Sequence, residues 1–253
     1  MLEIAGTEMF KPKVGLIGIG KWGKILRDKL RKNSNLIFEA NSKSNFKKKL
    51  NKIDWVFVAT PDKTHFQIVK YLINCEKNIF CEKPLTLSYK KSKLLFDLAK
   101  KKQVKLYVDD IQTFYSKNLK IKKENFIIRK KLGKGNPKNL LYRFAYHDFY
   151  FLADELKKRK IKSIKVFDVL NNLRFHIKCL DNTLFKFDYS LNSLKKIHKI
   201  NNHNFVTKKD LLTLMIKKVL NEKVNFKKNK EISLFSNKVI DKIQKKLIRL
   251  NLD

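Results

Sequence analysis

Short apolar runs alternate with amphipathic stretches along the first 108 residues. Residues 14–19 form a compact apolar run that ends in glycines and flows into 22–30, where Ile25, Leu26 and Leu30 recur at helical spacing. A second strand is predicted over 36–40 and a short connector over 46–50. Residues 53–59 (IDWVFVA) form the clearest buried strand in the chain, closed by Thr60-Pro61. A helix follows over 65–74, with Phe66, Val69 and Leu72 or Ile73 on one side. Then come a strand over 78–81, a helix over 88–101 and a strand over 104–108. Strands alternating with helices of this length imply βαβ units, right-handed crossovers and a parallel sheet.

The rhythm changes beyond residue 110. Residues 125–129 and 139–144 read as strands or connectors, and 149–158 as a helix. Residues 164–169, 173–180 and 184–189 read as antiparallel strands, the last two joined by the turn-prone pair Asp181-Asn182. Helices over 209–220 and 236–250 finish the chain. The expected fold class is α/β: a Rossmann-type, doubly wound parallel sheet over 11–110, then a smaller α+β domain over 111–253 with a mostly antiparallel sheet. That second domain is expected to be shortened and to serve substrate binding and oligomerisation.

Composition narrows the classes. Of 253 residues, 43% are apolar and 11% aromatic, so a core can be buried and whole-chain disorder is excluded as the leading idea. No apolar run approaches the roughly 18 residues that would cross a bilayer, so no membrane partner is expected. The first ten residues carry Glu3 and Glu8 and lack a basic region followed by an apolar one. That pattern predicts a cytoplasmic protein. Cys75, Cys81 and Cys179 have no CxxC spacing, which argues for reduced thiols and against a disulfide framework or a metal site.

The formal charge of +36 comes from 59 Lys and Arg against 23 Asp and Glu. Only seven of those cations are Arg, and Lys runs such as 47–49 and 100–102 are scattered. An A+T-rich codon bias produces this pattern with no function attached. Binding of nucleic acid driven by such charge would be steeply salt-dependent and without base preference, so no specific nucleic-acid partner is expected. What remains is a weak field that favours anionic ligands.

Four of the seven glycines stand between residues 15 and 23, in a chain that elsewhere turns on Asn and Asp. Gly18-Ile19-Gly20-Lys21-Trp22-Gly23 is a G-x-G-x-x-G at the junction of a strand and a helix. The first glycine permits a tight turn, the second lets backbone approach a pyrophosphate, and the third lets helix and strand pack closely. Free N–H groups and the helix dipole then hold the anion. The acidic residue that would bind a ribose diol is expected about 20 positions on. There the chain reads Glu39-Ala40-Asn41-Ser42-Lys43, with Glu39 inside the strand. Asn41 or Ser42 takes the ribose position, with Lys43 beside it, an arrangement that favours NADP over NAD.

A second motif runs Ala59-Thr60-Pro61-Asp62-Lys63-Thr64-His65, and Glu82-Lys83-Pro84 begins seventeen residues after His65. With the GxGxWG turn, these resemble the Gfo/Idh/MocA family of NAD(P)-dependent oxidoreductases, which carry A-T-P-x-x-x-H and E-K-P at these spacings. The resemblance covers residues 13–110. It implies a Rossmann domain followed by a domain whose open sheet supports substrate and often an oligomer interface, so a homodimer is expected. It also implies coenzyme contacts from Thr60, Pro61, His65 and Glu82 besides the glycine turn, and a catalytic lysine at Lys83. An ammonium there would stabilise the oxygen that gains charge as hydride moves.

The family usually places a histidine in a D-x-x-x-H-D segment at the start of a helix in the second domain. The match here is Arg143 to Asp148, which makes His147 the expected acid/base. Arg143 stands where the family has aspartate, so the usual proton relay is altered; Tyr142 and Tyr146 are candidate substitutes. Asp109 or Asp110 would orient the substrate or Lys83, or else cap the loop. No metal site is expected. The reading is hydride transfer at a hydroxyl or keto carbon of a sugar or nucleotide sugar, in surface-polysaccharide synthesis. The alternative is a dinucleotide-binding or scaffold protein that has lost turnover, for which Arg143 is the best support.

Overall fold

The computed structural model describes residues 11–41, 44–115, 119–133, 140–168, 172–205 and 209–249. The first layer comprises β1 (Lys13–Ile17), α1 (Lys21–Asn33), β2 (Asn35–Ala40), β3 (Trp55–Val58), α2 (Asp62–Asn74), β4 (Asn78–Cys81), α3 (Tyr89–Lys101) and β5 (Leu106–Val108). Its five strands are all parallel, in the order β2-β1-β3-β4-β5. Every residue of β3 is buried, as expected of a parallel strand covered on both faces. One face packs Val56, Val58, Ile79 and Cys81 against Val69, Leu72 and Leu95 of α2 and α3. The sheet order reverses at β1, and the crevice for a ligand opens where β1 and β3 diverge at their carboxyl ends.

The opposite face of this sheet is closed partly from the other end of the chain. Leu16, Phe57, Phe80 and Tyr107 share a core with Leu26 and Leu30 of α1 and with Met215, Ile216 and Val219 of α5 (Leu211–Leu220). The last helix, α6 (Phe226–Arg249), then seals the sheet edge at β5. Its fully buried Asn229 accepts a hydrogen bond from the Val108 N–H (2.9 Å) and donates one to the Val108 carbonyl (2.8 Å). One amide side chain thus stands in for a neighbouring strand at Val108.

The second layer is a six-stranded sheet built from β6 (Glu124–Leu132), β7 (Ile161–Asp168), β8 (Asn172–Cys179), β9 (Leu184–Ser190), β10 (Asn192–Ile200) and β11 (His203–Asn204). The order is β11-β10-β6-β9-β8-β7, antiparallel except for the β6/β9 pair. Helix α4 (Tyr146–Arg159) covers its inner face, where Phe149 packs on Phe175 and Phe187. The two sheets fall on either side of residue 110, as expected for a Rossmann domain followed by a mostly antiparallel one.

Three elements differ from the sequence reading. Residues 141–145 are helical, a wide turn that runs straight into α4, and not a strand. Their aromatic side chains suit a strand, but burial of Leu141, Phe144 and Ala145 in the core decides for helix. His147 consequently lies inside a continuous helix rather than at its start. Strand β10 was hidden by Lys195 and Lys196, which break the alternation where the register with β6 is irregular. Helix α6 begins ten residues earlier than its apolar pattern, because its first turns bury Asn229 among lysines.

Candidate active site

The glycine turn has the geometry its spacing implies. Gly18 holds a φ of 101°, and a Cβ there would lie 2.4 Å from the Ala59 carbonyl oxygen. A Cβ on Gly23 would lie 1.9 Å from the Gly18 carbonyl oxygen, whereas one on the exposed Gly20 would meet nothing within 4 Å. The turn is pinned by the Gly18 N–H, which donates to the Ala40 carbonyl (2.8 Å) at the end of β2. No side chain caps α1 and its first turn carries no carboxylate, so the N–H groups facing outward suit a pyrophosphate. A dinucleotide therefore fits: the open space over Gly20 is where backbone must approach a phosphate. Ile19 is half-buried in this turn, and Lys21 and Trp22 are exposed on α1.

At the end of β2, Asn41 is held in a turn. Its N–H donates to Ser44 Oγ (3.1 Å), whose hydroxyl donates to Asn41 Oδ1 (3.0 Å). Ser42 and Lys43 lie outside the described residues. Glu39 is engaged by Arg31 at 2.6 Å and takes no part at the ribose position.

The segment after β3 and the E-K-P segment after β4 are fastened together by His65. It is fully buried, with Nδ1 2.8 Å from the Pro84 carbonyl and Nε2 2.8 Å from the Thr60 carbonyl. His65 was expected among the coenzyme contacts; its buried ring is absent from the cleft lining and joins the two loops that border the cleft. Thr60 does line the cleft, while Pro61 is exposed at the start of α2.

A cleft of about 360 Å³ separates the two layers. Its first-domain wall is formed by Trp22, Thr60, Asp62, Glu82, Lys83 and Asp109, and its second-domain wall by Arg129, Lys131, Arg143, Phe144 and His147. Lys83 and His147, assigned from different halves of the sequence, thus meet in one cavity beside the glycine turn. The Trp22 indole donates to the buried Glu82 carboxyl, which ties the first motif to the third.

Burial and the Asp109 charge raise the Glu82 pKa well above the usual range, and burial also raises Asp109. The Glu82 and Asp109 carboxyls hydrogen-bond to each other. Asp109 also accepts from the Ile111 N–H (2.9 Å), so it caps its loop while facing the cleft. Asp110 accepts from the Tyr107 hydroxyl, and burial pushes it up to about 6; it does not line the cleft. Lys83 is lowered by burial and by Arg129, against the opposing pull of Glu82. His147 is pushed well below its usual value by burial, Lys83 and Arg129, and is therefore a neutral imidazole.

Asp148 turns away from His147. Although burial pushes its pKa up, His198 and Arg129 outweigh this and hold it below the usual carboxylate range. It accepts from His198 Nε2 (2.7 Å) and the Tyr189 hydroxyl (2.8 Å), with Arg129 at 3.5 Å. The candidate substitutes for the missing aspartate also lie elsewhere: the Tyr142 hydroxyl donates to Gln244 (2.6 Å), and Tyr146 is fully buried against Tyr150. Sequence reasoning missed Asp62, Arg129 and Lys131. The scarcity of Arg was the available signal, since two of the seven stand in this cleft.

Comparison with known proteins agrees with the motifs. The profile of the Gfo/Idh/MocA oxidoreductases, described as an NAD-binding Rossmann fold, matches residues 26–110. Residues 26–110 are thus similar to the Rossmann domain of this family. An uncharacterized oxidoreductase of Streptococcus pneumoniae serotype 4 is 27% identical over 122 residues, which span 41% of this chain and 33% of that protein. An uncharacterized oxidoreductase of Schizosaccharomyces pombe is 41% identical over 56 residues, spanning 22% of this chain and 15% of its own length. The matched segments thus cover a third or less of these relatives.

Solved structures extend the likeness in fold to the second domain. UDP-N-acetylglucosamine 3-dehydrogenase GnnA from Acidithiobacillus ferrooxidans superposes with a TM-score of 0.78 at 14% identity, covering 92% of this chain and 97% of that one. The WlbA dehydrogenase from Thermus thermophilus, solved with NAD and α-ketoglutarate, gives 0.71 at 12% identity over 90% and 94%. The chain has, among the described residues, no helix long and apolar enough to cross a membrane and no cluster of three metal-ligating side chains.

Proposed function

We propose that the protein is an NAD(P)-dependent oxidoreductase that moves hydride to or from a hydroxyl or keto carbon of a sugar or nucleotide sugar, in surface-polysaccharide synthesis. The observation that carries this reading is the meeting of Lys83 and His147 in one cleft beside the glycine turn. The turn from Gly18 to Gly23 would hold the pyrophosphate, and Asn41 the ribose. A bound nicotinamide supplies the site that accepts or donates hydride.

In the oxidative direction, neutral His147 accepts the carbinol proton, and the Lys83 ammonium stabilises the negative charge growing on that oxygen. The upward shifts of Glu82 and Asp109 favour a less negative first-domain wall beside Lys83, and the Trp22 indole fixes the Glu82 carboxyl. His147 performs its step without an aspartate partner of the expected kind, since Arg143 occupies that position and Asp148 faces the sheet.

Free thiols at Cys75, Cys81 and Cys179 favour a cytoplasmic enzyme. Two copies are proposed to pair through the outer face of the second sheet, where Phe126 and Phe167 are about half exposed. Sedimentation at micromolar concentration should give a dimer; a stable monomer would overturn the pairing.

The function itself is tested by titrating NADH and NADPH against the protein's fluorescence, then following reduced coenzyme with a panel of sugars and nucleotide sugars. Saturable binding is expected, with NADPH preferred, because the strand end offers Asn41 and no free carboxylate. Coenzyme binding without turnover on any member of the panel would favour the scaffold alternative. No binding of either coenzyme would defeat both.

A further inference from the structure

We propose that Arg129, Lys131 and Arg143 form an anion subsite that receives a carboxylate or phosphate of the substrate while its reacting carbon lies between Lys83 and His147. The inference rests on the proposed reaction and goes further by assigning the substrate a charge and a direction of entry.

Strand β6 alternates faces. Asn125 and Ile127 point inward and are fully buried, and the next two inward positions are Arg129 and Lys131. Residues two apart on a strand lie about 6.8 Å apart on the same face, so the inward face changes from uncharged to cationic where it reaches the cleft. The Phe144 ring holds both heads, with the Arg129 guanidinium 5.2 Å and the Lys131 ammonium 5.5 Å from its centroid. Arg129 also donates to the Phe144 carbonyl at 3.4 Å. Arg143 reaches the same cavity from the wide helical turn that carries Phe144.

Three cations crowded on one wall repel each other. Lys131 shows the effect: burial, then Arg143 and Arg129, lower its pKa. The carboxylates that line the cleft, Asp62, Glu82 and Asp109, stand on the opposite wall, around Lys83, and Asp148 lies 3.5 Å from Arg129. A bound oxyanion would relieve the repulsion. Arg is the residue suited to hold it, because its planar fork pairs bidentately with carboxylate and phosphate.

The shared chemistry is an oxyanion, and two sources supply it: the carboxylate of a sugar acid and the diphosphate of a nucleotide sugar. Glucuronate, uridine diphosphate and glucose are titrated calorimetrically against the full chain, with and without NADH. At least one of the two anions should bind about tenfold or more tightly than glucose, and the preferred one names the source. The Lys131→Met, Arg143→Gln double variant should lose that preference, and Lys131→Met alone should lose part of it. NADH affinity should change less than about twofold in either.

Equal binding of anions and glucose, or a preference that survives both variants, would overturn the subsite. So would variants that weaken NADH as much as the anions, since the cations would then serve the coenzyme. Anion preference without any NADH binding by the wild type would support the subsite while defeating the oxidoreductase reading.

Discussion

Gly23→Ala is expected to destabilise the protein by about 3 kcal/mol or more and to abolish dinucleotide binding, because its new methyl would sit 1.9 Å from the Gly18 carbonyl oxygen. Backbone cannot yield there cheaply. Gly18 is locked at positive φ and its N–H is bonded to the Ala40 carbonyl, so the strain must open the junction of β1 and α1. Gly20→Ala provides the contrast. Its methyl meets nothing within 4 Å, and the backbone at φ −67° and ψ −171° accepts alanine without strain. Stability should stay within about 0.5 kcal/mol of the wild type, while NADH affinity falls about tenfold or more because the methyl occupies the phosphate approach. Urea melts and coenzyme titration of both variants check the pair. A Gly20 variant with unchanged affinity would place the pyrophosphate elsewhere.

Lys83→Met and His147→Asn carry the largest expected effects on turnover. Loss of a group that stabilises the growing oxyanion costs about 10²–10³ in kcat, and loss of the acid/base about 10²–10⁴. Coenzyme affinity should remain near wild type in both, because neither side chain belongs to the glycine turn. The pH profile gives a sharper test. Burial and the Lys83 charge depress the His147 pKa, so the imidazole stays neutral and competent as a base well below the usual histidine range. The wild-type rate should therefore show no acid limb from His147 near neutrality. Lys83→Met removes the charge that lowers it most, the His147 pKa rises, and the acid limb of the residual rate moves to higher pH. An acid limb that stays put would mean that His147 and Lys83 do not share an electrostatic environment.

Much of this site was legible before any coordinates. The glycine turn could be read residue by residue, since its spacing follows from steric demands that hold wherever a strand meets a helix around a phosphate. The apolar run at 55–59 announced a strand, and Glu82-Lys83-Pro84 was singled out because its neighbours distinguish one lysine from a crowd. The second domain was less readable. Lys195 and Lys196 concealed β10, aromatic residues disguised the helical turn at 141–145, and Asn229 sat unnoticed among lysines at the start of α6. In each case a long-range partner, not local pattern, chose the conformation.

His65 illustrates the limit well, because its motif position said that it belonged near the coenzyme, and only packing revealed that its buried ring joins two loops. Arg129 and Lys131 show the same limit from the other side. The chain by itself determined which short segments are strands and helices of the parallel sheet and which glycines must stay bare, because those are local consequences of sterics and hydrophobic period. Tertiary structure alone decided that one strand of the second sheet aims two cations at Lys83 and His147. Which charges share a cavity depends on how two separately formed layers face each other, and no spacing along the chain encodes that.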